Sequence, residues 1–320
     1  MKKENFMKEN LMKINLGFFG NSLEYPPVIT QALDALYVQE ATSGWMQENT
    51  SQIRYMGGRE IKVPTRSMTG LGDYNRPDGK YPKGSIVTSY QTRHLTQDRS
   101  TEFYFDRNDV DETDYLNEAT NVMSQFTKEH VAPELDAFRY SSIAKAAIAA
   151  GRSEDYTPSA TNIFTKLLSN LRDIQDSTGV AMTDIIITMP YTVYGILEQS
   201  KEFNGSLMPT NFTQGDLTFE ARSINGAPII PVTSNRMKTD FDFASGENEL
   251  GFTPAPDAKD INWLITPKDT PIAVTKTDSL KIFDPDTNQD GDGWKTQYRI
   301  YHDLFILDNK MNSIFASVQA

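Results

Sequence analysis

The chain has 320 residues, 38% of them hydrophobic, with a formal net charge of −12 and no cysteine. That length suits one large domain or two, and the missing cysteine excludes disulfides, a thiol nucleophile and thiolate metal sites. The acidity argues against a broad grip on nucleic acid, which needs Lys and Arg to neutralise phosphates, and no apolar run reaches the roughly 20 residues of a membrane-spanning helix.

Residues 1–35 read as an N-terminal arm. The opening MKKENFMKENLMKINLGFFG has lysines first, as a signal peptide does, but Glu4, Glu9 and Lys13 break any apolar stretch and no small-x-small cleavage site follows. After Pro26-Pro27, apolar positions 29, 32/33 and 36 predict a short helix over Val28–Gln39. Gly58–Arg66, GREIKVPTR, alternates Ile61 and Val63 with Lys62 and reads as a short strand. Ser67–His94 is rich in Gly and Pro, with large aliphatics nearly absent until Ile86-Val87. Its Asp78-Gly79 step suits a hairpin turn. Such a segment cannot build its own core, and by composition alone it is also compatible with a disordered loop.

From Leu95 to Asp111 the texture changes. Thr101, Phe103 and Phe105 alternate with Glu102, Tyr104 and Asp106, the pattern of a half-buried strand. The acidic run Asp106, Asp109, Asp111 and Glu112 then meets a helix start, where negative charge complements the helix dipole. Asp109 and Glu112 have capping-box spacing, with Asp in place of Ser or Thr. From Thr113 to Ala150 there is almost no stop signal: Leu116, Ala119, Met123, Phe126, Leu135 and Phe138 recur on one helical face, and only Pro133 interrupts. Such a helix spans roughly 55 Å, a rod of more use to an elongated tile than to a compact ball.

Beyond Tyr156 the pattern is mixed α/β. Thr157 as N-cap and Pro158 at the first position predict a helix start, with Ile163, Phe164, Leu167, Leu168, Leu171 and Ile174 as its buried stripe and Gly179 as its end. The run Asp184–Met189, DIIITM, suits a strand covered on both faces. Pro190–Ser200 reads as a shorter helix. Further strands are expected at Leu217–Ala221, Ala227–Val232, Ile261–Thr266, Pro271–Thr277 and Leu280–Phe283. A long strand follows, with Trp294, Thr296, Tyr298, Ile300, His302, Leu304 and Ile306 on one side.

Chemistry-bearing patterns are sparse. His94, His130 and His302 lie far apart in sequence and in no metal-binding arrangement. His302-Asp303 is half of a triad by type, but strand neighbours point to opposite faces, and no nucleophile elbow exists. Asp286–Gly291, DTNQDG, matches the first half of an EF-hand loop, with Asp286, Asn288 and Asp290 as oxygen ligands. The last ligand of such a loop is a bidentate Glu. Here that place is Gln297, so a turn built from good turn residues is the preferred reading. No catalytic, cofactor-binding or metal residues are therefore assigned, and no enzyme activity is expected.

The stretch DRSTEFYFDRNDVDETDYLNEATNVMSQFTKEHVAPELDAFRYSSIAKA closely resembles the major capsid proteins of tailed bacteriophages, which have the Hong Kong 97-like shell fold. The matching points are Asp98-Arg99, the Asp109-x-Asp111-Glu112 turn and Pro133-Glu134-x-Asp136. A second match is WKTQYRIYHDLFILDNK, Trp294–Lys310, and the resemblance covers roughly residues 30–320. It implies an α+β shell fold. An arm occupies 1–35, a peripheral domain with a spine helix and long antiparallel sheet 36–66 and 95–155, and an extension loop 67–94. A mixed α/β axial domain follows at 156–273, and C-terminal strands at 274–320 return through the peripheral domain to the axial one. It implies hexamers and pentamers of an icosahedral shell around double-stranded DNA, assembled in the host bacterial cytoplasm. Expected partners are other copies of the chain, a portal protein and a possible decoration protein, with the DNA held without sequence-specific binding. Fold-like sequence beginning by about residue 30 implies a separate scaffolding protein. Lys80 and Lys83 sit in the loop that some members of the family cross-link covalently, but their neighbours do not dictate that chemistry. Two alternatives are an encapsulin-type nanocompartment shell and, in a different class, a calcium-dependent surface-binding module using the Asp286 loop.

Overall fold

The described part of the expected long helix, 122–149, is helical and carries a defect of identifiable origin. Residues 122–126 are α-helical, Thr127–Val131 form a π turn, and Ala132–Ala149 continue as an α-helix, α1. The structure, a computed structural model, describes residues 41–52, 54–55, 60–74, 76–106, 122–200, 207–214, 217–244 and 250–320. The arm at 1–35, the helix expected over Val28–Gln39, the Asp109–Glu112 cap and the first part of the long helix lie outside them. The wide turn sits just ahead of Pro133. A proline lacks the N–H for the regular ladder, and its ring crowds the carbonyl four residues back. The ladder is instead closed by the Ala132 N–H, which donates to the Thr127 carbonyl. The Thr127 hydroxyl donates to the Met123 carbonyl at 2.8 Å. The expected interruption is therefore an inserted wide turn, a known cause of helix bending.

Two sheets flank this spine. The first is three-stranded and antiparallel: β4 (Gln97–Asp106) pairs with β14 (Gly293–Ile306), which pairs with β13 (Pro271–Phe283). The register sets Arg99 opposite Ile300 and Phe103 opposite Thr296. Val131, Ala132 and Leu135 of the spine bury against Leu280, Tyr298 and Ile300 of this sheet.

The second sheet has seven strands in the order β5 (Ser153–Asp155), β15 (Phe315–Val318), β12 (Ile261–Pro267), β6 (Ile185–Pro190), β9 (Ala227–Val232), β8 (Leu217–Ile224) and β7 (Leu207–Gln214). It is mixed, with β6 parallel to β9 and β5 parallel to β15. The covered strand read from DIIITM is β6, all six residues of which are buried. Ile186 packs with Tyr140, Ile143 and Ala147 of α1. Ile185, Ile187 and Met189 pack on the other face against α2 (Ile163–Thr178) and α3 (Tyr191–Glu198). The period-two alternation of a strand places successive isoleucines in two different cores, and each such burial contributes about 1.5–3 kcal/mol. The C-terminal half of α1 thus covers one sheet while its N-terminal end covers the other.

Three expectations need correction. The helix expected to start at Thr157-Pro158 starts at Ile163, with Asn162 at the N-cap position but no side-chain cap. The reason is that Tyr156 is still tied to the sheet: its N–H donates to the Val318 carbonyl at 2.8 Å, and its carbonyl accepts from Asn262 Nδ2 at 2.6 Å. A turn closed by Ser159 follows before helix forms. The two strands expected at Pro271–Thr277 and Leu280–Phe283 are one, β13, with a register shift at Thr275/Thr277. The polar residues between them stay extended because β14 pairs with them throughout. The strand read over Leu217–Ala221 continues to Ile224, paired with β7 along its length. The end of α2 is as expected: Gly179 is its left-handed C-cap, φ 68°, and donates to the Gln175 carbonyl at 2.7 Å.

Candidate functional site

Among the described residues, the segment that contributes least to the core is the hairpin of β2 (Glu60–Met68) and β3 (Ile86–His94), beside the short β1 (Arg54–Tyr55) that pairs with the base of β2. Its register runs from Glu60 opposite His94 to Met68 opposite Ile86. Nine residues per strand carry it about 30 Å. Its base is anchored: Ile61, Val63 and Leu95 bury against Ile272, Val274, Tyr301, Phe305 and Leu307. Beyond the base nothing is covered, and every described residue from Arg66 to Tyr90 is exposed. The exposed residues include Met68 at 66%, Leu71 at 107%, Tyr81 at 82% and Ile86 at 70%. Water-facing apolar groups in such number are characteristic of interaction surfaces. Cross-strand bonds hold the shape: Thr65 and Ser89 hydroxyls meet at 2.7 Å, and Ser85 N–H donates to Thr69 Oγ1 at 2.9 Å. The Asp78-Gly79 step lies in a turn, Gly79 with φ 63°. The paired arms begin at Glu60, so the strand read at Gly58–Arg66 and the loop read at Ser67–His94 form one hairpin. Lys80 and Lys83 lie exposed in its loop.

The residues that carried the family resemblance have structural partners. Arg99 Nε donates to Glu134 Oε1 at 2.6 Å, and Arg99 also donates to the carbonyls of Ala244 and Gly251. This ties β4, the start of α1, and the hairpin of β10 (Phe241–Phe243) and β11 (Phe252–Pro254) together. Asp98 and Arg299 form a two-point ion pair across β4 and β14, at 2.8 and 2.6 Å. Asp136 is fully buried. It accepts from the N–H and hydroxyl of both Thr42 and Ser43, and from Arg236 Nη1 at 3.0 Å. Arg139 donates to the carbonyl and hydroxyl of Ser43. Tyr140 meets the Thr42 hydroxyl at 2.8 Å, and its pKa is pushed well up, first by burial and then by the nearby Asp136 charge. A buried charge is tolerated only when paired and hydrogen-bonded, and this network fixes residues 42–43 against the spine.

The histidines do not converge. His94 is exposed at the end of β3, His130 is exposed in the π turn, and His302 is 2% exposed, edge-on to Phe138 with ring centroids 5.3 Å apart. Burial, helped by Arg139 and Arg99, holds its pKa down to about 3, so the ring is neutral at pH 7. Asp303 points elsewhere and accepts the N–H and hydroxyl of Thr96. In the Asp286 loop, Asn288 Oδ1 accepts the Asp290 N–H at 3.1 Å and Asn288 Nδ2 donates to the Gly293 carbonyl at 2.8 Å. Asp290 pairs with Lys295, and Gln297 reaches across to Glu102 at 2.7 Å. These bonds close a turn, and no cluster of three His, Cys, Asp or Glu suited to a metal occurs among the described residues. No helix among them is long and apolar enough to cross a membrane.

No family model and no curated protein sequence matches the chain. Solved structures do. A chain from Gordonia phage Cozz superposes with TM-score 0.56 at 12% identity, covering 96% of this chain and 90% of that one. A chain of the mature capsid of bacteriophage PhiM1 gives 0.53 at 14%, covering 82% of each. A chain of a virus-like particle from Pyrococcus furiosus gives 0.52 at 10%, covering 93% and 100%. The spine, the long antiparallel sheet, the mixed sheet and the projecting hairpin are thus arranged in an α+β shell fold of the kind found in phage capsids.

Proposed function

We propose that this chain is a capsid shell subunit of a tailed bacteriophage or prophage, self-assembling into hexamers and pentamers around double-stranded DNA. The observation that carries this reading is the hairpin Glu60–His94, whose apolar side chains from Met68 to Tyr90 meet no core of their own chain. In a shell, such a segment serves as the extension loop and lies on a neighbouring copy. The three-stranded sheet with the spine then serves as the peripheral domain. The seven-stranded sheet with α2 and α3 serves as the axial domain around the symmetry axes. A scaffolding protein, a portal protein and a decoration protein are its proposed partners, and the virion its proposed location, reached after assembly in the bacterial cytoplasm. DNA inside needs no basic patch, since a container encloses what it does not grip.

The test is sedimentation of the purified chain, alone and co-expressed with its neighbouring structural genes, followed by nuclease digestion of any particle fraction. Fast-sedimenting particles with nuclease-protected double-stranded DNA support the reading. Particles filled with protein instead support a nanocompartment shell, and a compact monomer under all conditions contradicts both.

A further inference from the structure

The hairpin and the far end of the long antiparallel sheet carry opposite charge. Residues 60–94 hold six Lys and Arg against three Asp and Glu, whereas the rest of the chain holds 25 against 40. Towards the tip, Arg66, Arg76, Lys80 and Lys83 are exposed and form no ion pair among the described residues. The acidic pole is the turn between β13 and β14. Asp284, Asp286, Asp290 and Asp292 fall within nine residues there, and the β4 residues Glu102 and Asp106 pair with the start of β14 beside it. Lys295 is bound to Asp290 and Glu102, so carboxylates remain in excess.

The register keeps the two poles apart. β3 ends at His94, and β4 begins at Gln97, opposite His302. β4 then runs to Asp106, opposite Gly293, at the acidic turn. Ten residues of strand put roughly 30 Å between the root of the hairpin and that turn. A hairpin folded back along its own sheet would be covered by it, but the described residues from Arg66 to Tyr90 are exposed. A basic tip and an acidic turn so placed meet between copies, head to tail. Contacts of this heterologous kind close into rings when the rotation between copies allows it. Complementary charge also steers the encounter and fixes its register. DNA is the weaker partner for the tip, because Asp73 and Asp78 stand among its cations and phosphate binding depends on an excess of Lys and Arg.

We propose that the basic tip of the hairpin docks on the acidic β13–β14 turn of a neighbouring copy, so that charge helps to hold the contact. This rests on the shell reading of the hairpin. The test is sedimentation of the full chain and of two charge-reversed variants, at low salt and at about 1 M, where the screening length is ~3 Å. The first variant combines Arg76→Glu, Lys80→Glu and Lys83→Glu; the second combines Asp286→Lys and Asp292→Lys. Association of the parent should weaken about tenfold at high salt. Each variant alone carries like charge at both poles, and should associate about tenfold more weakly than the parent at low salt with its melting temperature unchanged. An equal mixture of the two should regain association, because every contact between unlike copies is then complementary. If a reversed variant does not fold, its neutral counterpart with Gln or Asn at the same positions is measured, and a partial loss is expected. A folded variant, reversed or neutral, that associates as the parent does overturns the proposal and leaves the shell reading standing. So does a mixture of folded variants that associates no better than its parts. A reversed hairpin that assembles normally but encloses less DNA assigns the tip to nucleic acid and overturns the proposal as well. A parent that stays monomeric under all conditions overturns the shell reading and this proposal with it.

Discussion

Asp136 and Ser43 lie 93 residues apart in the chain, and the carboxylate of the first receives both the backbone N–H of the second, at 3.0 Å, and its hydroxyl, at 2.6 Å. Both residues are fully buried. Asp136→Ala removes the acceptor of five hydrogen bonds and leaves Arg236 without its buried partner. Breaking a buried ion pair from one side costs about 3–5 kcal/mol. Urea unfolding of the variant should show a loss of that size. A loss below about 1 kcal/mol would mean that the 42–43 segment is not held by this carboxylate.

His302 gives the stability a pH dependence of definite sign. Its native pKa is about 3, set first by burial and then by Arg139 and Arg99. In the unfolded chain it titrates near 6.5. Between these values the unfolded state binds the extra proton, so stability falls as pH falls from 6.5. At pH 4.5 the loss from this group is about 2–3 kcal/mol, at about 1.4 kcal/mol per pH unit. Asp303 acts in the opposite sense: burial raises its native pKa, so the folded state takes up its proton first as the pH falls. His302→Phe keeps the ring against Phe138 and removes the titration. Melting temperatures measured from pH 7 to 4.5 should fall less steeply in the variant than in the parent, and parallel curves would refute the assignment.

Gly293 begins β14 where that strand meets the end of β4. A Cβ there would run into the Phe105 carbonyl and the Tyr104 hydroxyl. The first of these is backbone and cannot swing aside. Overpacking of this kind costs about 1–3 kcal/mol, and Gly293→Ala should lower stability by that amount in a denaturant titration. Gly151, where an added Cβ meets nothing within 4 Å, has φ 67° and is strained for a different reason, so it is not a substitute control.

Pro133 concerns shape more than stability. Near the start of α1 a proline is tolerated, and its demand has already been met by the π turn at Thr127–Val131. With Pro133→Ala a regular ladder becomes possible through the bend. The variant should melt within a few degrees of the parent, a change of order 1 kcal/mol. It should nevertheless form particles of altered size or outline in electron micrographs. Normal particles would show the wide turn to be incidental to curvature.

The elements with a clean apolar pattern were readable in the sequence. DIIITM is β6, the run from Trp294 to Ile306 is β14, and the helical stripe of Leu167, Leu171 and Ile174 faces the sheet as its spacing requires. What was not readable depends on partners far along the chain. β7 is MPTNFTQ after its first leucine, with no strand pattern of its own, and exists because β8 pairs with it. The polar middle of β13 is extended for the same reason. Pro133 signalled an interruption, but its form, a π turn ahead of it, depends on how the Ala132 N–H finds Thr127. Asp136 stood out as part of a motif, whereas its partners Thr42, Ser43 and Arg236 could be found only in three dimensions. The pocket beside the spine likewise draws its walls from four segments far apart in sequence.

The hairpin offers the most direct test of the shell reading. Thr69 and Ser85 are bonded across it, the Thr69 N–H donating to the Ser85 carbonyl at 3.1 Å, so the chain between them can be replaced by a two-residue Asn-Gly turn without disturbing the strands below. The anchoring residues Ile61, Val63 and Leu95 are untouched. Thermal unfolding and electron microscopy of this shortened chain, beside the parent, form one paired measurement. The account predicts an unchanged melting temperature for the subunit and the loss of closed shells, because the same contact is deleted at every copy. Intact shells from the shortened chain, or a subunit that no longer folds, would contradict it.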